Sequence, residues 1–115
     1  HSAARHLLSR GRLPEAVVCG TDAMALGLMD VFFAAGVKVP DQVAVAGFDG
    51  LVSARSSMLR LTTVIQPRRL MAEKAVGILA AALAGRAGEP VTVLCPHALH
   101  TGATCGCRPS KGNDQ

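Results

Sequence analysis

Three short polar clusters follow apolar runs in this 115-residue chain. Gly20-Thr21-Asp22 follows Ala16-Val17-Val18-Cys19, Phe48-Asp49-Gly50 follows Val43 to Gly47, and Gln66 follows Leu61 to Ile65. Asp49 carries the most chemistry. A carboxylate flanked by Gly47 and Gly50 at the end of an apolar run lies open to solvent and accepts two hydrogen bonds from sugar or base donors. The simpler alternative is an aspartate that starts a turn or caps residues 51–58. Asp22 is explained by helix capping, because a side-chain oxygen there accepts from the orphan N–H groups of a first turn. The two carboxylates follow different runs and no histidine is near either, so they do not make an acid–base pair. No Gly-x-Gly-x-x-Gly, phosphate-binding loop or Gly-x-Ser-x-Gly elbow occurs, which removes the main support for a nucleotide hydrolase or an esterase. The chain reads as a binding protein and not an enzyme.

Cys95, His97, His100, Cys105 and Cys107 fall within thirteen residues, and their side chains suit zinc chemically. Their spacing, Cys-x-His-x2-His-x4-Cys-x-Cys, matches no structural zinc signature. In an extended segment, alternation puts Cys95, His97, Leu99 and Thr101 on one face and His100 on the other. The expectation is therefore no metal and no cofactor, with Cys105 and Cys107 as free thiols in a loose tail. Four unpaired cysteines fit a reducing, cytoplasmic compartment.

The elements that position these clusters follow from periodicity. Residues before Leu8 read as the last turns of a helix broken by Gly11 and Pro14; with no initiating Met and no secretory pattern, the chain is expected to be a fragment that opens mid-helix. Ala16–Cys19 and Val43–Ala46 are short apolar runs of the kind that form strands buried on both faces. Ala23–Ala35 is helical up to Gly36, residues 51–58 are weakly helical, and Leu61–Ile65 is β-branched and reads as a third strand. Pro67 suits the first position of a helix that continues to Gly85, and Val91–Leu94 reads as a fourth strand. The faces Leu26/Met29/Phe33 and Met71/Leu79/Leu83 are most simply core, although one of them could belong to a dimer interface. Strands alternating with helices predict an α/β fold: a three-layer, doubly wound, mostly parallel sheet. In such sheets ligands bind beyond the carboxyl ends of the strands, where the three polar clusters fall.

Composition agrees with one globular domain. Half of the residues are hydrophobic and 17% are charged, too apolar for disorder. The longest uncharged apolar stretch, Ala75–Gly85, is far short of the roughly 20 residues of a membrane span. The net charge of +4 lies in the second half, with Arg55, Arg60, Arg68 and Arg69 inside fifteen positions. These arginines lack interleaved aromatics and any groove-reading motif, so they read as solvated faces and not as a DNA-binding surface.

Three motifs resemble a known family: Ala16-Val-Val-Cys-Gly-Thr-Asp-Ala-Met-Ala-Leu-Gly27, then Ala35-Gly-Val-Lys-Val-Pro-Asp-Gln-Val-Ala-Val-Ala-Gly-Phe-Asp49, then Leu61-Thr-Thr-Val-Ile-Gln-Pro67. In order and spacing they look like the LacI/GalR transcription regulators, and the resemblance covers nearly all of residues 3–104. It implies the C-terminal subdomain of a periplasmic-binding-protein-like core for residues 1–104, followed by a disordered tail over 105–115. It implies effector contacts from Asp49, Thr21, Phe48 and Gln66, and dimer contacts from the helix around Met24, Leu26 and Leu28 and from the segment Leu51 to Met58. The implied partners are a small effector, either a sugar, a phosphorylated sugar or a purine, and a second copy of the chain. Operator DNA would be bound only through a helix-turn-helix domain upstream, and no membrane is involved. Leu59, Arg60 and Gly102 depart from the family pattern. The rival within the same architecture is a sugar-binding protein of a transport system.

Overall fold

The computed structural model describes residues 1–56, 58–86 and 88–107. Its elements in chain order are α1 (Ser2–Ser9), β1 (Ala16–Val18), α2 (Asp22–Ala34), β2 (Ala44–Asp49), α3 (Val52–Ser56), β3 (Thr62–Ile65), α4 (Arg68–Leu83) and β4 (Ala98–His100). The chain divides into two compact units, one holding residues 1–65 and the segment from Ala98 onward, the other Gln66–His97.

In the first unit the strands lie in the order β1-β2-β3-β4. β1 pairs with β2 and β2 with β3 in parallel, and β4 closes the order antiparallel to β3. Rows run across the sheet through Val18, Ala46 and Thr62, and through Phe48, Val64 and Leu99. The parallel pairs sit at the α/β crossovers, as expected of strands joined by helices.

α2 exists because its apolar side chains repeat on one face. Ala25, Leu28, Met29 and Phe32 are spaced i, i+3, i+4, i+7 and all are buried, the pattern of a helix laid on a sheet. It packs on β2, and α1 packs on α2. The helix stops where Gly36 takes a φ of +75°, a conformation that costs glycine little. Val43, Val45, Ala54 and Leu61 complete the core around Phe32 and Met29.

A second set of bonds ties the segment after β4 back to the sheet. The Gly102 N–H donates to Thr62 Oγ1 at 2.9 Å and the Ala103 N–H to the Arg60 carbonyl at 2.6 Å. Thr104, 3% exposed, does the most: its hydroxyl accepts from the Thr62 N–H at 2.9 Å and donates to the Val45 carbonyl at 2.7 Å, and its carbonyl accepts from the Val45 N–H at 2.7 Å. A Cβ at Gly102 would run into the Arg60 carbonyl, which explains the small residue there.

Several expectations need correction. Val91–Leu94 forms no strand; the pairing edge of β3 is taken by Ala98–His100, because β propensity counts only where a partner edge is free. β1 is not buried on both faces: it is an edge strand, and Val18 is 80% exposed. Pro67 is the N-cap residue of α4 and not its first helical residue. The Met71/Leu79/Leu83 face is exposed and no residue of α4 is buried, since one helix and an irregular segment cannot enclose a core of their own. Cys105–Cys107, expected in a loose tail, are held in a turn directly after the Thr104 clamp; residues 108–115 of that expected tail lie outside the described residues.

Phe32 is fully enclosed between α2 and the sheet. Phe32→Ala is expected to lower unfolding free energy by about 3–5 kcal/mol, read as a shift of the urea midpoint with an unchanged slope.

Candidate functional site

The carboxyl ends of three parallel strands meet at one edge of the first unit. β1 leads into Cys19-Gly20-Thr21, β2 ends at Asp49, and β3 ends at Ile65, directly beside Asp49 in the register. Thr21 caps α2: its hydroxyl oxygen accepts from the Met24 N–H at 3.1 Å. An oxygen used in this way still has its own proton to donate.

Asp22 does not cap. It is fully buried, where a carboxylate is tolerated only if its oxygens are hydrogen-bonded. Oδ2 accepts from the Leu51 N–H at 2.7 Å, and Oδ1 accepts from the Thr63 hydroxyl at 2.5 Å. Thr63 Oγ1 in turn accepts from the Gly50 N–H at 3.3 Å. One acidic side chain on α2 therefore fastens β3 and the turn that follows β2. Gly47 is small for the same reason, since a Cβ there would strike the Asp22 carboxylate and Leu61.

That fastening sets the conformation of Asp49. With Gly50 and Leu51 both pinned, Asp49 has a φ of +131° and Gly50 a φ of +69°. L residues rarely occupy positive φ, and such a conformation lasts only where its surroundings hold it. Gly50 cannot carry a side chain, because a Cβ would meet Ile65 at 2.6 Å. Asp49 itself is partly buried at the sheet edge.

The other expected contact residues are dispersed. Phe48 is 40% exposed and shares its row with Val64 and Leu99; as the neighbour of Asp49 along a strand it belongs to the opposite face of the sheet. Gln66 falls in the second unit. Among the expected dimer contacts, Met24 and Met58 are exposed, and Leu26 and Leu51 are partly buried against the core. Leu28, 6% exposed, is a core residue and offers a partner nothing; it lies on the inward stripe of α2. No three His, Cys, Asp or Glu side chains form a group able to hold a metal among the described residues. His100 stands opposite Thr63 in the sheet, and His97 is in the other unit. No helix of the described residues is long and apolar enough to cross a membrane.

The architecture and the sequence agree with known proteins. The family model for a periplasmic binding protein-like domain matches residues 1–105. The chain belongs to that family. Within it, the resemblance is to the effector-binding region of LacI/GalR regulators. The HTH-type transcriptional regulator GalR of Salmonella typhimurium is 44% identical over 88 residues, which is 76% of this chain and 25% of the relative. The structure of a transcriptional regulator CelR–cellobiose complex superimposes with a TM-score of 0.80 at 32% identity, covering 90% of this chain and 32% of that one. The Lac repressor dimer bound to operator and the anti-inducer ONPF gives a TM-score of 0.79 at 27% identity, covering 90% and 36%. The chain spans 29% or less of the curated relatives it matches. These relatives are transcriptional regulators and not enzymes.

Sequence reasoning missed the Asp22–Thr63–Gly50 network and the Thr104 clamp. An Asp at a helix start is overwhelmingly read as a cap, and only the unusual double glycine around Phe48-Asp49 hinted that something bulky lies against that turn. Asp22→Ala strands the Thr63 hydroxyl and the Leu51 N–H, and is expected to destabilise the domain by about 2–4 kcal/mol. Thr63→Val should cost about 1–3 kcal/mol. Chemical denaturation of the two variants and their combination checks this; coupling in the double mutant shows whether the pair acts as one unit.

Proposed function

We propose that residues 1–104 form the effector-binding and dimerisation subdomain of a LacI/GalR-type regulator, taking a sugar or nucleobase-like effector. The observation that carries this reading is Asp49, a carboxylate held at positive φ at the carboxyl end of a parallel strand, where α/β sheets bind ligands. A fixed carboxylate accepting from two vicinal donors suits the paired hydroxyls of a sugar or the N–H edge of a base. Thr21, the N-cap of α2 in the turn that follows β1, adds a hydroxyl donor beyond the same end of the strands. That a neighbour was solved with cellobiose supports a sugar in particular.

Dimerisation is proposed through exposed Met24 and Met58, in keeping with the dimeric state of the Lac repressor neighbour. Operator contact would belong to a helix-turn-helix domain outside this sequence, and the regulator would work in the cytoplasm. Effector binding then shifts the population between operator-competent and operator-incompetent forms, by no more than the difference in its affinity for the two. The relatives favour this over a transport protein.

Asp49→Ala, made in the complete regulator, is expected to weaken effector binding at least about tenfold, or 1.4 kcal/mol, while leaving operator affinity unchanged. Calorimetric titration with candidate mono- and disaccharides, beside operator gel shifts, measures both. Wild-type effector affinity in the variant removes Asp49 from the site.

A further inference from the structure

Two thiols meet in the turn Cys105-Gly106-Cys107. Gly106 has a φ of +70°, which turns the chain so that the Cys107 N–H donates to the Cys105 sulfur at 3.3 Å. The Cys107 thiol donates to the Cys105 carbonyl at 3.8 Å. Thr104, the preceding residue, is locked between Val45 and Thr62, so the turn is anchored on one side. On the other side it faces solvent, with Cys105 half-buried and Cys107 exposed.

We propose that Cys105-Gly106-Cys107 is a thiol–disulfide exchange site, in which Cys105 attacks a low-molecular-weight disulfide of the glutathione class and Cys107 resolves the adduct. In the first step the Cys105 thiolate bonds to one sulfur of the small disulfide. The S–S bond of that molecule breaks, and its other half leaves as a thiolate that takes up a proton. In the second step Cys107 loses its proton to solvent, and its sulfur attacks Cys105 Sγ. The mixed S–S bond breaks and releases the second small thiol. The protein dithiol is oxidised by two electrons, and the small disulfide is reduced to two thiols.

The two cysteines are unequal in a way that assigns the roles. Burial acts to raise the Cys105 thiol, but hydrogen bonds with the Cys107 side chain, with Thr62 and with the backbone of Cys107 and Cys105 together outweigh it and hold the group below its ordinary value. Cys107 is raised, chiefly by its hydrogen bond with Cys105 and then by desolvation and charge repulsion. The thiolate is the nucleophile, so at neutral pH Cys105 attacks first while Cys107 waits as a thiol. Cys19 is buried and pushed up by that burial, which takes it out of the exchange.

The test uses the Cys95→Ser protein, which lacks a third partly exposed thiol. It is incubated with glutathione disulfide at neutral pH, quenched with N-ethylmaleimide and weighed, intact and as peptides. The expected product has lost two hydrogens, with the new bond inside the peptide carrying residues 105–107, and Cys19 alkylates only after unfolding. Cys107→Ser in that background stops at a glutathione adduct on Cys105, and Cys105→Ser forms no internal S–S bond and yields at most a glutathione adduct on Cys107. An adduct that persists on Cys105 while Cys107 stays a free thiol overturns the proposal. So does a first adduct on Cys107, or recovery of both thiols fully alkylated after long exposure.

Discussion

A single buried carboxylate holds the working edge of this domain in shape. Asp22 starts α2 yet reaches away from it, to the Thr63 hydroxyl on β3 and the Leu51 N–H after β2. A charge without water is tolerable only with its acceptor sites filled, so the three elements are obliged to meet at this point. The obligation runs both ways. Gly47 must be small to admit the carboxylate, Gly50 must be small to pass Ile65, and Asp49 is left in a backbone conformation that it would not take alone. The carboxylate at the end of β2 thus adjoins a turn fastened by a second, buried carboxylate.

This division of labour separates what can be read from residues in order and what cannot. α2 was legible from the apolar recurrence of Met24, Leu26, Leu28, Val31 and Phe32 before Gly36, whereas the inward stripe through Ala25 and Met29 and the cap at Thr21 emerge only from the packing. The parallel strands were legible as β-branched or apolar runs, and Asp49 as a carboxylate between glycines. The partners of Asp22 were not, because Thr63 lies 41 residues away and a hydrogen bond of that span leaves no local pattern. Strand β4 was misplaced for a related reason: Val91-Thr92-Val93 has the better local propensity, but Ala98–His100 holds the free edge of β3. Leu28 was offered to a partner surface because the family resemblance points to a whole helix without saying which of its faces is turned outward.

Apolar surface also remains outside the core of the first unit. Val18, Phe48 and Leu99 are exposed on one face of its sheet, while Val17, Val45 and Thr63 lie on the face that α2 covers. A sheet whose two faces differ this much in cover is asymmetric in where it tolerates change: substitutions on the α2 side act through packing, and those on the other act through solvation.

The Thr104 clamp has a consequence for how the chain comes to be folded. Val45 and Thr62 belong to adjacent central strands, but a main-chain N–H of each has its partner at position 104, 59 and 42 residues later. On a ribosome, β1, β2 and β3 emerge with those donors still unpaired and with the antiparallel edge strand yet to be made. Local helices such as α2 can form early, whereas the sheet is completed only when the segment after β4 has left the exit tunnel. High-separation contacts of this kind slow folding and lengthen the exposure of open strand edges. The open strand edges therefore persist until residue 104 has emerged, and loss of Thr104 would leave the Val45 and Thr62 donors without these partners.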